Sequence, residues 1–363
     1  MLQIPCVLMR GGTSKGPVLL ASDLPQEREA RDEMLLSLMG AGHELEIDGI
    51  GGGSPQTSKV AIVSPSTSAD ADIDYLFAQV MVKERHVDTT PNCGNMLCAV
   101  GPFAIEKGLV VATDPVTRVR IRNLNTGTLI DADIQTPDKI VTYEGDTTID
   151  GVPGSAAPVG LTFLNSAGCK TGKLLPTGKV IDVIEGIGVT CIDMAMPMVL
   201  INARDLGKRG DESPQALDAD KNFLQMLENI RLKAGLAMGL GDVSKKVIPK
   251  PVLLSEASAG GTLKVRYFMP HNCHKSLAIT GSVGIATACL MPGSIANQCV
   301  DQPAGDFLEH VIIEHPSGKI DISLVKTGSE MESVRASVIR TARKLFVGNV
   351  CVAEGDLETE GAY

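Results

Sequence analysis

Residues 94–107 read GNMLCAVGPFAIEK, and this stretch decides the fold. Apolar side chains fall on nearly every face of a helix drawn through it, which calls for burial on all sides. Gly108 supplies the stop, and the internal Gly101-Pro102 pair is expected to kink the helix. A second stretch of the same kind, GSVGIATACLM over Gly281–Met291, ends at Pro292-Gly293. Two helices with no polar face need two enclosing shells. Working outward, Ile4–Met9, Pro17–Ala21, Lys59–Ser64, Ile73–Lys83, Arg118–Ile134 and Ile140–Tyr143 read as strands around the first helix. Pro25–Met39 reads as an amphipathic helix capped by Ser22 or Asp23 and stopped at Gly40.

The order repeats. Ile192–Ala203 follows the pattern of Ile4–Ala21, Ala219–Leu236 is the matching amphipathic helix, and Pro251–Ser255 and Thr262–Met269 are strands. Val311–Leu324 then echoes Val119–Ile134 after the second buried helix. The expected fold is therefore α+β, with two lobes related by a pseudo-twofold axis. Each lobe is a curled, mostly antiparallel sheet around a buried central helix, with a cleft between the lobes. The division is placed as residues 1–185, residues 186–353 with the last strand crossing back, and an acidic tail over residues 354–363.

Length and composition agree with two lobes. The 363 residues exceed the ~100–200 of one ordinary domain. Acidic residues number 43 against 33 basic, for a net charge of −10 without any basic run, which argues against nucleic acid as a partner. Trp is absent and aromatics reach 3%, so a base-stacking platform is not expected either. No apolar run approaches the ~18 residues of a spanning helix, and Met1–Pro5 has no basic lead into an apolar core. Nine scattered cysteines with no C-x-x-C pair point to reduced thiols in a cytoplasm. Oligomeric state is not legible, and a homodimer is admitted.

Chemistry concentrates at the start of the first buried helix, Pro91-Asn92-Cys93-Gly94-Asn95. A helix N-terminus offers unpaired N–H groups and a positive dipole end, so it attracts carboxylates and favours a thiolate at Cys93. Gly94 permits close backbone approach and Asn95 adds an amide. Thr280-Gly281-Ser282 opens the second buried helix and is read as the equivalent position. If both helix starts face one cleft, a di- or tricarboxylate can be held at two ends.

Lys59, at the end of a glycine loop taken as mobile (residues 48–58), is either a solvated strand opener or a general base made so by burial or by Arg10. Arg10, Thr13 and Ser14 around Gly11-Gly12 suit a carboxylate clamp. His271 and His274 lack a third partner for a metal, so no metal is expected and His274 is read as a cleft residue. Gly11–Gly16 and Gly49–Gly53 fail the context tests of phosphate-binding and dinucleotide-binding loops.

These segments carry a family resemblance. MRGGTSKG (9–16), IDGIGGGSPQTSKVAIVS (47–64), DYLFAQV (74–80), VDTTPNCGN (87–95), CIDMAMP (191–197), ITGSVGIATA (279–288) and EHPSGKID (314–321) resemble the PrpF family along essentially the whole chain. The resemblance implies a diaminopimelate epimerase-like fold and a cofactor-free isomerase or tautomerase of methylaconitate or oxalomesaconate type, nearest the 4-oxalomesaconate tautomerase branch. It places the family's Ser-Lys pair at Ser58 and Lys59, and its Asn-Cys-Gly-Asn at Asn92–Asn95. Epimerases and racemases of this fold carry a second cysteine where this chain has Thr280, which puts two-thiol inversion in doubt. Cys93 is left as acid, base or substrate contact. The rival readings are an amino-acid racemase or epimerase, and a non-catalytic carboxylate-binding protein.

Overall fold

The computed structural model describes residues 1–164, 166–300, 309–328 and 330–353, so the expected acidic tail lies outside the described residues. The chain forms two compact units: Met1–Leu161 with the segment from Arg340 onward, and Thr162–Ile339.

The first unit opens with β1 (Leu2–Gly11), β2 (Ser14–Leu20) and α1 (Arg28–Met39). It continues with β3 (Lys59–Pro65), β4 (Ile73–Val80), β5 (Val87–Asp88), α2 (Gly94–Glu106), β6 (Val116–Asn123) and β7 (Leu129–Gln135). β8 (Pro158–Leu164) passes from the first unit into the second. The second unit holds β9 (Asp182–Ile184), β10 (Ile187–Asp193), β11 (Pro197–Asn202), α3 (Pro214–Ala219) and α4 (Lys221–Ala237). After these come β12 (Lys250–Glu256), β13 (Leu263–Tyr267), α5 (Ile279–Cys289), α6 (Ile295–Gln298), β14 (His310–His315) and β15 (Gly318–Lys326). β16 (Val334–Val352) pairs with β15 through its first residues and with β1 through its last. The units thus divide at Leu161/Thr162, earlier than the 185/186 expected from sequence, because β8 already carries the chain onward.

The duplication is written in the pairing sense. β1–β2 is antiparallel, β2–β3 parallel, β3–β4 antiparallel, β4–β6 parallel and β6–β7 antiparallel. β10–β11, β11–β12, β12–β13, β13–β14 and β14–β15 repeat that series in the same order. In each unit the sheet has a helix on both faces. α2 contacts β1, β2, β3, β4 and β7, while Met34, Leu35 and Leu38 of α1 pack on Ile4, Leu19, Val60 and Ile62 from the other side. In the second unit α5 contacts β10, β14 and β15, and Leu227, Ile230 and Ala234 of α4 pack on Val199, Ile201 and Leu253. Strands covered on both faces read as continuous apolar runs, as β3 and β12 do.

Two local expectations are corrected. α1 begins at Arg28 with Glu27 as its cap, because Ala21–Asp23 is spent on a 3-10 turn and Leu24 is extended. Gly40 does close it, in the left-handed conformation at φ 74°. Ile140–Tyr143 is not a strand: it follows a turn in which Asp138 and Lys139 both have positive φ, and Ile140 is exposed. α2 continues through Pro102 to Glu106, and Gly101 lies close on β7, where a Cβ would be 2.8 Å from Ile134 Cδ1.

Candidate active site

In the first unit, the β1–β2 turn joins the two elements that sequence singled out. Gly11 and Gly12 lie on the start of α2, where added Cβ atoms would come within 2.3 Å of the Asn95 carbonyl oxygen and Oδ1 respectively. Asn95 Nδ2 donates to Thr13 Oγ1 at 3.0 Å. Three residues further along, Gly16 lies on Lys59 so closely that a Cβ would be 1.8 Å from the Lys59 carbonyl oxygen. One hairpin therefore sets both Lys59 and the Cys93 helix start.

The Lys59 side chain is buried, with Nζ donating to Gln79 Oε1 at 2.6 Å and standing 5.0 Å from the centre of the Phe77 ring. Gln79 is its register partner across β3–β4, and its own Nε2 is fixed on Ser58 O at 2.7 Å. Cys93 is the N-cap of α2 and is 8% exposed. Leu97 N–H closes the first turn on the Cys93 carbonyl, leaving the N–H groups of Gly94, Asn95 and Met96 without intrahelical acceptors. The loop before Cys93 is tied down by two asparagines from the β6–β7 turn. Asn123 Nδ2 donates to Asn92 Oδ1 at 2.6 Å, and Asn125 Nδ2 to Thr89 O at 2.7 Å and Phe77 O at 2.8 Å.

Beneath the helix start, buried Tyr75 donates its hydroxyl to the Cys93 carbonyl at 3.2 Å. Burial holds the Tyr75 phenol well above its ordinary range, so it stays a donor. Burial likewise pushes the Cys98 thiol up to about 12. Tyr75→Phe is expected to cost about 1 kcal/mol, because the Cys93 carbonyl loses one of two donors and keeps the Leu97 N–H; chemical denaturation reads it out.

In the second unit, α5 starts two residues earlier than expected. Its N-cap is Ala278, and no side chain caps it. Ser282 is not a free donor: its N–H goes to Ala278 O and its hydroxyl to Ile279 O at 2.7 Å. Thr280 is buried, and Gly281 rests against the Tyr267 ring, 2.5 Å from where a Cβ would stand. His274 meets Tyr267 edge-on at 6.3 Å and accepts the Ser276 N–H on Nδ1 at 2.9 Å. His271 is exposed, 3.8 Å from Glu228.

A family model described as PrpF protein matches residues 1–353. The chain belongs to the PrpF family. YbhH of Escherichia coli (strain K12), an isomerase by provisional designation, is 60% identical over 96% of this PrpF chain and 99% of its own. The 4-oxalomesaconate tautomerase of Pseudomonas putida (KT2440) is 49% identical over 96% of each chain. The crystal structure of methylitaconate-delta-isomerase superposes with a TM-score of 0.84 at 37% identity, covering 100% of this chain and 98% of that one.

Several expected site residues of this PrpF protein are turned elsewhere. Arg10 Nη1 donates to the carbonyls of Gly12 and Thr341, both at 3.0 Å, so it braces the turn. The Ser58 hydroxyl faces Glu46 and the Val80 carbonyl, and Ser14 is buried against Gly11 in the hairpin. The glycine loop is wrapped around Glu46. Glu46 accepts the Gly53 N–H at 2.8 Å, and a Cβ on Gly51 would lie 2.2 Å from its Oε2. Gln79, Tyr75, Asn123, Asn125 and Glu46 escaped the sequence reading. Only Gln79 and Tyr75 left a signal, inside the DYLFAQV motif.

Proposed function

We propose that this protein is an isomerase that moves a proton, and with it a double bond, along an unsaturated tricarboxylate of the oxalomesaconate or methylaconitate type. The observation that carries the reading is the shared hairpin, which fixes a buried lysine amine beside a cysteine-headed helix with three unclaimed N–H groups. The named relatives, a tautomerase and an isomerase of unsaturated acids, support the substrate class.

The chemistry is a 1,3-shift. Lys59 Nζ takes a proton from a carbon made acidic by a neighbouring carbonyl and the conjugated carboxylate, and the electron pair spreads into a dienolate. The N–H groups of Gly94, Asn95 and Met96 meet the developing oxyanion, with the Asn95 amide beside them. Cys93, or a water it orients, returns a proton at the far end of the conjugated system. Thr13 is proposed as a carboxylate contact beside Asn95. Arg10, Ser14 and Ser58 are assigned to holding the site's shape. A racemase reading would want a second thiol in the first turn of α5, and Ile279-Thr280-Gly281-Ser282 has none. Cys273 lies outside that helix, its thiol directed to the His274 carbonyl.

The test is an ultraviolet screen of oxalomesaconate, methylaconitate and aconitate, paired with proton NMR in deuterated water. One acid is expected to change absorbance and take up deuterium. Thermal stabilisation by these acids, with no exchange in any of them, would make the protein a carboxylate binder instead.

A further inference from the structure

The EHPSGKID segment takes no part in the chemistry above, yet it walls a cavity of about 220 Å³ in the second unit. Lys264, Arg266, Glu314, His315 and Lys319 line it. Lys264 and Arg266 alternate along β13 with Leu263, Val265 and Tyr267, and Tyr267 packs on Gly281 of α5. By that alternation the cavity opens on the sheet face turned away from α5.

The charges are arranged in an unusual way. Lys264 on β13 and Lys319 on β15 are the register partners of Glu314 on either side. The Glu314 carboxylate is hydrogen-bonded to backbone N–H groups. It accepts the N–H groups of Ser258 at 3.0 Å, Ala259 at 2.6 Å and Gly261 at 2.9 Å, closing the β12–β13 turn. Burial opposes its charge, but those three donors outweigh it and hold Glu314 ionised below its ordinary range. Lys264 adds to that lowering through space, without a hydrogen bond to the carboxylate.

Arg266 is 7% exposed, with Nε on the Glu212 carbonyl at 2.6 Å and Nη1 on the Val265 carbonyl at 2.9 Å. Its Nη2 makes no hydrogen bond among the described residues, and neither does the Lys264 amine, although the Asp211 and Glu212 carboxylates act through space on Arg266 and Asp211 also on Lys264. Lys319 is anchored on the Ala259 carbonyl. A buried guanidinium edge and an ammonium without acceptors, facing one cavity, are the donor set that binds an oxyanion through two oxygens.

We propose that this cavity is a second anion site, separate from Lys59 and Cys93, which binds one small oxyanion, a phosphate or a carboxylate. One oxygen meets Arg266 Nη2 and another the Lys264 amine. The site has a route to the rest of its unit. The β14–β15 turn carries Ser317, whose hydroxyl donates to the Lys275 carbonyl, and Lys275 lies in the segment leading into α5.

Calorimetric titration of the full chain with inorganic phosphate, and separately with malonate, at constant ionic strength tests this without using activity. Saturable one-to-one binding is expected for at least one of the two, and the tighter of them separates phosphate from carboxylate. Lys264→Gln should weaken that binding about tenfold or more, the worth of one charge-assisted hydrogen bond. Arg266→Lys, which keeps the charge and loses the fork, should weaken it as well. Lys59→Met should leave it unchanged. Binding that survives Lys264→Gln, binding that vanishes in Lys59→Met, or no saturable binding of either anion would overturn the proposal.

Discussion

Gly16→Ala is expected to lower stability by about 3 kcal/mol, the upper range for overpacking, and to cut kcat/KM by roughly 10²-fold. The added Cβ would stand 1.8 Å from the Lys59 carbonyl oxygen and 2.8 Å from its carbonyl carbon. Both are backbone atoms, so no rotamer change relieves the contact and β2 must move away from β3 by more than 1 Å. That movement strikes where the two strands run parallel, at Val18↔Ala61 and onward, and where Gly16 faces Met9 in the hairpin. Lys59 is carried with its carbonyl. A misplacement of about 1 Å in a catalytic group is enough for a loss of that size even when substrate still binds. Gly188→Ala is the control, since a Cβ there meets only Ile181 Cγ2 at 3.9 Å. It should leave both the unfolding midpoint and the rate unchanged. A Gly16→Ala protein with wild-type stability and rate would show that the hairpin does not hold Lys59.

The same glycines explain what the sequence makes legible and what it hides. The buried helices announce themselves because no polar face survives in GNMLCAVGPFAIEK or ITGSVGIATA, and the repeated element order follows from enclosing each of them. Lys59 and Cys93 are legible from local context, a lysine opening a strand and a cysteine heading a helix. Partner choice is not local. Nothing near Ser58 signals that Glu46, with its backbone at φ 49°, turns its carboxylate toward that hydroxyl. Nothing near Arg10 signals that Thr341 will accept from it across β1–β16. Asn123 and Asn125 look like ordinary turn residues until the β6–β7 turn is seen to hold the loop ahead of Cys93. Helix starts err for a related reason. Ser22 and Asp23 are good caps by type, yet a 3-10 turn claims them first, and Ala278 caps α5 with no side-chain bond at all.

Lys59→Met is expected to abolish isotope exchange at the acidic carbon, at a cost on the order of 10²–10⁴ in rate, while Cys93→Ser keeps measurable exchange and slows product formation. The asymmetry follows from what each group can be replaced by. In the proposed shift the base begins the reaction, and the Lys59 amine lies against Phe77 and Gln79, where bulk water is a poor substitute. Methionine keeps the stem length and the apolar contact with Phe77. Gln79 retains its bonds to the Ser58 and Val80 carbonyls, so the fold should be spared. The proposed acid acts at the end, on a dienolate that the N–H groups of Gly94, Asn95 and Met96 would stabilise, and water can reprotonate it. Serine is also a good N-cap, so Cys93→Ser preserves the start of α2. Both variants need circular dichroism and thermal unfolding to show that they are folded before rates are compared. If exchange persists in folded Lys59→Met and disappears in folded Cys93→Ser, the roles invert. Cys93 is then the base that opens the 1,3-shift, and Lys59 binds or reprotonates the substrate.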